Sequence, residues 1–123
     1  MTNTSETHDW LDLASALEKL DGDETLYREL IAMFLDRDME DVASIREHLN
    51  RDAYAEAYRF IHTLKGLAGT LGFSALHTVM LAMDKAYKSE QYEQIKSSVE
   101  SMEKEMNRAL TGSRELLQRE RLS

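Results

Sequence analysis

The sequence predicts an all-α fold: an antiparallel four-helix bundle with a short extra helix at the N-terminus. The 123 residues contain no proline and only five glycines, so few residues interrupt a helix. Apolar residues recur three and four positions apart in successive segments, which is the period of an amphipathic helix. The connections between these segments are short, and short connections make successive helices neighbours in space.

The first two helices are predicted in the N-terminal half of the chain. The short first helix spans residues 10–20 and can be capped by Thr7 or Asp9, because both side chains accept hydrogen bonds from helical amides. Residues 21–23, Asp-Gly-Asp, form a break and a new N-cap. The second helix is then predicted as one element over residues 24–49, with an apolar stripe along one side.

Three further helices are predicted over residues 53–70, 74–88 and 92–109. Gly72 should end the first of these, as glycine often does just past a helix C-terminus. Gly112 should end or fray the last one. The resulting domain prediction is a disordered N-terminus (1–8), a four-helix bundle (9–112) and a charged helical extension or tail (113–123). Four methionines are expected to fill the core and not to line a binding groove: Met80, Met83, Met102 and Met106.

Composition argues against several classes of protein. The chain has no cysteine, which excludes a disulfide framework and a thiolate zinc site. A net charge of −8 without a basic stripe argues against nucleic acid. No apolar run approaches the roughly 20 residues of a membrane helix, and the polar start lacks a signal-peptide pattern. We therefore expect a cytoplasmic protein, most simply a monomer, with no membrane partner.

The sequence also lacks the patterns of several catalytic and metal sites. None of the four histidines follows a glutamate by three positions, as a di-iron bundle would require. A phosphate-cradling glycine loop and a nucleophile elbow are also missing. We therefore expect no cofactor, no metal and no ATP site, so the chain should not phosphorylate itself and should not be an enzyme with its own pocket.

The helix predicted over residues 53–70 carries an unusual polar face around His62. At helical spacing this face also holds Tyr58, Arg59, Lys65, Gly66 and Gly69. The opposite face is an ordinary core stripe of Ala53, Ala57, Phe60, Leu64, Leu67 and Leu71. Most lone histidines on helices are solvated surface residues, and we interpret His8, His48 and His77 in that way. His62 differs because two cations and two glycines surround it.

This setting suits a transferable phosphoryl group. A neutral imidazole is a nucleophile near pH 7, since its ordinary pKa is about 6.5. Lys65, one turn on, can place an ammonium beside a phosphoryl group on the ring, and Arg59, one turn back, can add a second cation. Gly66 and Gly69 have two interpretations: tight packing against a neighbouring helix, or clearance for a partner protein. Their position on the polar face favours clearance.

At this point the chain resembles the histidine phosphotransfer (HPt) domains of bacterial multistep phosphorelays. Their pattern is H-x-[LI]-K-G-x-x-x-x-x-G, and it is matched here by His62, Leu64, Lys65, Gly66 and Gly72. The resemblance covers about residues 10–110, and residues 16–30 are similar to the opening of such domains in hybrid sensor kinases. It implies that His62 is the phosphoacceptor, that Lys65 assists electrostatically and that Gly66 clears the approach.

The chain is also similar to the phosphotransfer domain of chemotaxis kinases, with which it shares a Gly-x-x-Gly-Phe ending at residues 69–73. In that group an acidic residue twelve positions after the second glycine hydrogen-bonds the inner nitrogen of the histidine. That position is Asp84 here, which implies an orienting role for a shorter side chain than the usual glutamate. Leu67 replaces a residue that is commonly small, and we expect altered packing there without loss of function.

The resulting functional hypothesis is a phosphorelay intermediate. His62 would shuttle a phosphoryl group between aspartates on the receiver domains of a hybrid sensor kinase and of a response regulator. The main alternative is a helical adaptor that binds proteins through the same face without chemistry. A third possibility is a piece of a larger kinase, although the start at Met1 favours a stand-alone protein.

Overall fold

The fold is known from a computed structural model, which describes residues 9–37 and 39–122. Every regular element in this part of the chain is an α-helix. The seven helices are α1 (Leu13–Lys19), α2 (Glu24–Arg37), α3 (Glu40–Asn50), α4 (Tyr54–Leu71), α5 (Ser74–Lys88), α6 (Tyr92–Ser97) and α7 (Val99–Leu117). The all-α prediction is therefore confirmed. The expected disorder of residues 1–8, the Thr7 cap and His8 lie outside the described residues.

Two aspartates cap the N-terminal helices. The Asp12 carboxylate accepts a hydrogen bond from the Ser15 amide at 3.1 Å, so α1 begins later than predicted. The reason is that the Asp12 amide donates to the Gly72 carbonyl at 2.7 Å, which ties the preceding residues to the end of α4. Asp23 caps α2 as predicted, since its carboxylate accepts from the Leu26 amide at 2.9 Å.

The prediction of one helix over residues 24–49 is wrong, because α2 ends at Arg37 and α3 begins at Glu40. The apolar alternation of α2 ends at Phe34. Continuing it would place position 38 on the core side, and the sequence has aspartate there. Glu40 and Asp41 instead stand in the first turn of α3, where acidic residues suit the helix dipole. Arg37 pairs with Asp41 across the break at 2.5 Å.

The last predicted helix is also two helices, α6 and α7, which meet at Ser98. The hydroxyls of Ser97 and Ser98 both donate to the Gln94 carbonyl, at 3.0 and 2.9 Å. Such side-chain bonds compete with the regular helical ladder. Of the two alternatives predicted beyond Gly112, a helical extension or a tail, the structure has the helix, because α7 continues to Leu117.

Residues beyond Gly112 contribute to the core. Ser113, Leu116 and Leu122 are all buried. Gly112 is buried too, and it faces the ring of Trp10 from the N-terminal segment. A glycine that looks like a helix end in the sequence is therefore a packing site inside a helix.

One core joins the helices and holds α4 in place. The largest fully buried side chains are Tyr27, Phe34, Phe73, Ile31, Ile45, Ile61, Leu64, Leu71, Leu76, Met80, Met83 and Ile95. The four methionines named above are all buried, as predicted for core filler. α4 packs between α3 and α5, with α1 and α2 also in contact, while α7 closes against α2, α3 and α5. None of the described helices is long and apolar enough to cross a membrane.

Candidate functional site

His62 lies on the outer side of α4. The buried residues of this helix are Ala57, Ile61, Leu64, Ala68 and Leu71. The His62 side chain, by contrast, is 63% exposed. The buried stripe is rotated from the predicted one: Ile61 and Ala68 lie in the core, whereas Phe60 and Leu67 are only half-buried. This rotation follows from the position of α4 between two neighbouring helices, and it leaves the imidazole in solvent.

The other described histidines are held by packing. The Nδ1 atom of His48 lies 2.7 Å from the Ser44 carbonyl, and its ring stacks on Phe60 with centroids 5.7 Å apart. The His77 ring fills the space beside Gly69. Both side chains are half-buried. Among the described histidines, His62 alone is exposed, which makes its ring the most accessible to a partner.

Beside His62, a buried carboxylate gathers two cations. Asp84 of α5 is only 3% exposed at its side chain. Its Oδ2 atom lies 3.2 Å from the Nζ atom of Lys65 on α4 and 3.2 Å from the Nζ atom of Lys88 on α5. The Lys65 contact joins the two helices, while the Lys88 contact spans one turn of α5. A single carboxylate oxygen therefore serves two ammonium groups.

Asp84 does not hold the imidazole by a hydrogen bond in this structure. The distance from His62 Nδ1 to Asp84 Oδ1 is 3.9 Å, which is too long for one. Oδ1 is buried and accepts no hydrogen bond of standard geometry from the described residues. The inner edge of the ring nevertheless faces the carboxylate, so Nε2 lies on the distal edge of an exposed ring.

The pKa values of Asp84 and Tyr58 reflect this cluster. Burial would raise the pKa of Asp84, but the Tyr58 hydroxyl and the ammonium groups of Lys65 and Lys88 outweigh it and hold the pKa at about 2. The Tyr58 hydroxyl approaches the carboxylate without completing a hydrogen bond of standard geometry. Its pKa is raised to about 12 by this neighbour and by burial. Asp84 is therefore ionised at neutral pH.

Arg59 lies on the other side of His62 from Lys65. Its exposed side chain borders a shallow depression shared with His48 and Phe60, on the side of α4 toward α3. Lys65, only 20% exposed, points toward α5. The structure thus brings Lys65 and Asp84 together and leaves Arg59 apart from them.

The two glycines of the His62 face are not equivalent. A Cβ atom built on Gly66 would meet no atom within 4 Å. A Cβ atom on Gly69 would lie 3.3 Å from Cδ2 of His77, and the Gly69 carbonyl accepts a hydrogen bond from Lys19 Nζ at 2.9 Å. For Gly69 the structure favours the other interpretation, tight packing against α5. Gly66 has no such internal explanation among the described residues.

Sequence reasoning assigned no role to Lys88 or Tyr58. Lys88 follows Asp84 by four positions in a helix, a spacing that permits an ion pair and was available in the sequence. Tyr58 precedes His62 by four positions, and the two ring centroids are 5.9 Å apart. The Tyr58 ring also stacks on Tyr87 of α5, with centroids 4.2 Å apart, a contact that no local spacing reveals.

The comparison with known families settles the class of the chain. The model of the family described as the Hpt domain matches residues 29–119. The chain belongs to the Hpt domain family. Members of this family are phosphocarriers in histidine phosphotransfer, not kinases, and they interact with receiver domains of phosphorelays. The match covers α4, α5 and every candidate site residue. We found no solved structure that matches the chain.

Proposed function

We propose that the protein is a phosphorelay intermediate that carries the phosphoryl group on His62. It would accept the group from an aspartate on the receiver domain of a hybrid sensor kinase and pass it to an aspartate on a response regulator. Family membership supports the reaction class. His62 is proposed as the phosphoacceptor because its side chain is 63% exposed and lies beside an ionised carboxylate that is paired with lysines.

The transfer step needs only a nucleophile from this chain. The lone pair on Nε2 attacks the phosphorus of the receiver's aspartyl phosphate, a nitrogen–phosphorus bond forms and the acyl phosphate bond breaks. The receiver's carboxylate leaves with the electron pair. The proton on Nδ1 stays in place, near the negative Asp84 carboxylate, and the ring becomes a phosphoimidazolium. The reverse sequence delivers the group to the second receiver, and each receiver would supply a magnesium ion for the transfer.

The neighbouring residues have separate proposed roles. Lys65 stabilises the dianionic phosphoryl group, because a charge-assisted hydrogen bond is stronger than a neutral one. Gly66 leaves room for the receiver to reach the ring. Asp84 favours the tautomer with its proton on Nδ1 by charge, even at 3.9 Å. Arg59 adds positive potential from the side of α3.

We also propose that the helices form an antiparallel four-helix bundle, with α2 and α3 together as one member and α4, α5 and α7 as the others. The contacts of α4 with α3 and α5, and of α7 with α2 and α5, support this arrangement. α1 would be the extra N-terminal helix. In this arrangement the bundle holds α4 rigid while its outer face stays free for a receiver.

Phosphoryl transfer to histidine variants tests the proposal. A panel of receiver domains carrying labelled aspartyl phosphate would be mixed with wild type, His62→Gln and the matched control His77→Gln. We expect label on wild type and His77→Gln, and none on His62→Gln. Labelling of His62→Gln at the wild-type rate would overturn the assignment. Receivers that bind wild type tightly without transferring label would instead indicate the adaptor.

A further inference from the structure

Asp84 holds one more cation than its charge requires. Its Oδ2 atom is 3.2 Å from the ammonium nitrogens of both Lys65 and Lys88. The two lysines differ in their surroundings, since the Lys65 side chain is 20% exposed and that of Lys88 is 62% exposed. Lys88 therefore reaches the carboxylate from the solvent side, while Lys65 reaches it from within the α4–α5 contact.

The proposed role of Lys65 conflicts with its position. A lysine that neutralises a phosphoryl group on His62 must loosen its contact with Asp84. If Lys65 were the sole lysine on Asp84, a carboxylate that is 3% exposed would then lose its counter-ion. The same carboxylate lies 3.9 Å from the ring that receives the dianion. An uncompensated buried charge next to another negative charge is strongly unfavourable.

We propose that Lys88 is a positioning residue that remains on Asp84 and so releases Lys65 to the phosphoryl group. This inference rests on the proposed function of His62. Lys65 stands three positions after His62 on the same helix, within reach of a group attached to the ring. Lys88 stands one turn beyond Asp84 on α5 and keeps its contact without any change in the backbone. Phosphorylation thereby reduces the lysine partners of Asp84 from two to one, and the one that remains is Lys88.

Tyr58 cannot replace Lys88 in this role. Its hydroxyl stabilises the Asp84 carboxylate but carries no charge, so it leaves the net charge of the site unchanged. With Lys88 absent, Lys65 would be the remaining lysine paired with Asp84 among the described residues, because the cationic phosphoimidazolium ring lies 3.9 Å from the carboxylate, too far for a hydrogen bond. Lys65 would then stay on the carboxylate, and the phosphoryl group on His62 would lack its ammonium partner.

The test compares Lys88→Gln with the matched control Lys85→Gln. Both changes remove one exposed lysine from α5, and Lys85 belongs to no ion pair in the described part of the chain. The measured quantities are the rate of phosphoryl transfer from a labelled receiver domain and the affinity for the unphosphorylated receiver. We expect Lys88→Gln to slow transfer about tenfold with unchanged affinity, and Lys85→Gln to stay within about twofold of wild type.

The same two changes in an Asp84→Asn background separate positioning from a general charge effect. Without the carboxylate, Lys65 has nothing to be released from, so Lys88→Gln should have no further effect on the rate. An equal slowing in both backgrounds, or equal rates for Lys88→Gln and Lys85→Gln, would overturn the inference. Either result would leave the difference between wild type and His62→Gln intact. Loss of that difference would instead overturn the proposed function.

Discussion

Two glycines inside long helices, Gly66 of α4 and Gly112 of α7, have opposite surroundings. Each is expected to destabilise its helix by about 1 kcal/mol relative to alanine. A Cβ atom on Gly112 would overlap the ring of Trp10, which also packs on Phe73 with centroids 5.9 Å apart. A Cβ atom on Gly66 would meet no atom of the described residues within 4 Å. At Gly112 the Trp10 ring fills the space of the missing side chain, whereas at Gly66 that space is open in the described part of the chain.

The difference shows where the reason for each glycine lies. The Gly112 notch holds the N-terminal segment, which is also fixed by the pairing of Arg108 with Asp9 and by a hydrogen bond from the Ser74 hydroxyl to the Asp9 carbonyl at 3.2 Å. Gly112 is therefore explained by packing that stabilises the fold. Gly66 lies one turn from His62, so its absent side chain is explained best by a partner that approaches the ring.

The largest effect is expected at Gly112. Alanine there would force the Trp10 ring out of place, and overpacking of this kind destabilises a fold by about 1–3 kcal/mol. Phosphoryl transfer by the folded variant should stay near the wild-type rate, because Trp10 packs on Phe73 just past the end of α4, and α4 ends at Leu71, about 14 Å along the helix from His62. Urea unfolding followed by circular dichroism measures the change in the free energy of unfolding.

The same substitution in a Trp10→Ala background provides the control. With the ring removed, only helix propensity remains, and Gly112→Ala should then stabilise the fold by up to about 1 kcal/mol. The sign of the effect should therefore reverse between the two backgrounds. If Gly112→Ala destabilised the wild-type and Trp10→Ala backgrounds equally, contact with Trp10 would not be the reason for the glycine.

The contrast between the two glycines also explains what the sequence could predict. His62, Lys65 and Gly66 lie within five positions of one helix, so helical spacing alone placed them together. Gly112 looked like a helix end because its partner, Trp10, comes from the other end of the chain. A local pattern cannot show which distant ring fills a gap.

The same reasoning applies to the helices and to the ion cluster. Apolar periodicity predicted the all-α class. It did not show that the helices are interrupted near residue 39 and at Ser98, because these interruptions depend on a few polar side chains. Asp84 was predicted as a site residue from a family resemblance alone, because its contact with Lys65 depends on how α5 packs on α4. Lys88 is the exception, since its spacing of four positions from Asp84 can be read from the sequence.

A smaller effect on stability, of opposite sign, is expected at Gly66. Alanine fits the open space and should raise the free energy of unfolding by up to about 1 kcal/mol through helix propensity. The added methyl group lies where the receiver approaches, so transfer should slow about tenfold, equivalent to about 1.4 kcal/mol. Urea unfolding and the receiver transfer assay measure the two quantities on the same protein.

Stability and transfer should thus move in opposite directions at Gly66. A Gly66→Ala protein that is more stable and transfers at the wild-type rate would show that clearance for a methyl group is not needed. Phosphorylation of this variant by a small-molecule donor supplies the control. Labelling by phosphoramidate should be unchanged, because no protein then has to approach the helix.

The smallest effect is expected at Gly69, which lies between the two extremes. A Cβ atom there would be 3.3 Å from Cδ2 and 3.4 Å from Nε2 of His77. The imidazole must shift by a few tenths of an ångström, and this crowding offsets the gain in helix propensity. Gly69→Ala should therefore change the free energy of unfolding by no more than about 0.5 kcal/mol.

In a His77→Ala background the crowding disappears, and Gly69→Ala should then stabilise the fold by about 1 kcal/mol. Transfer should stay at the wild-type rate, and slowing equal to that of Gly66→Ala would mean that the receiver also covers the α5 side of His62.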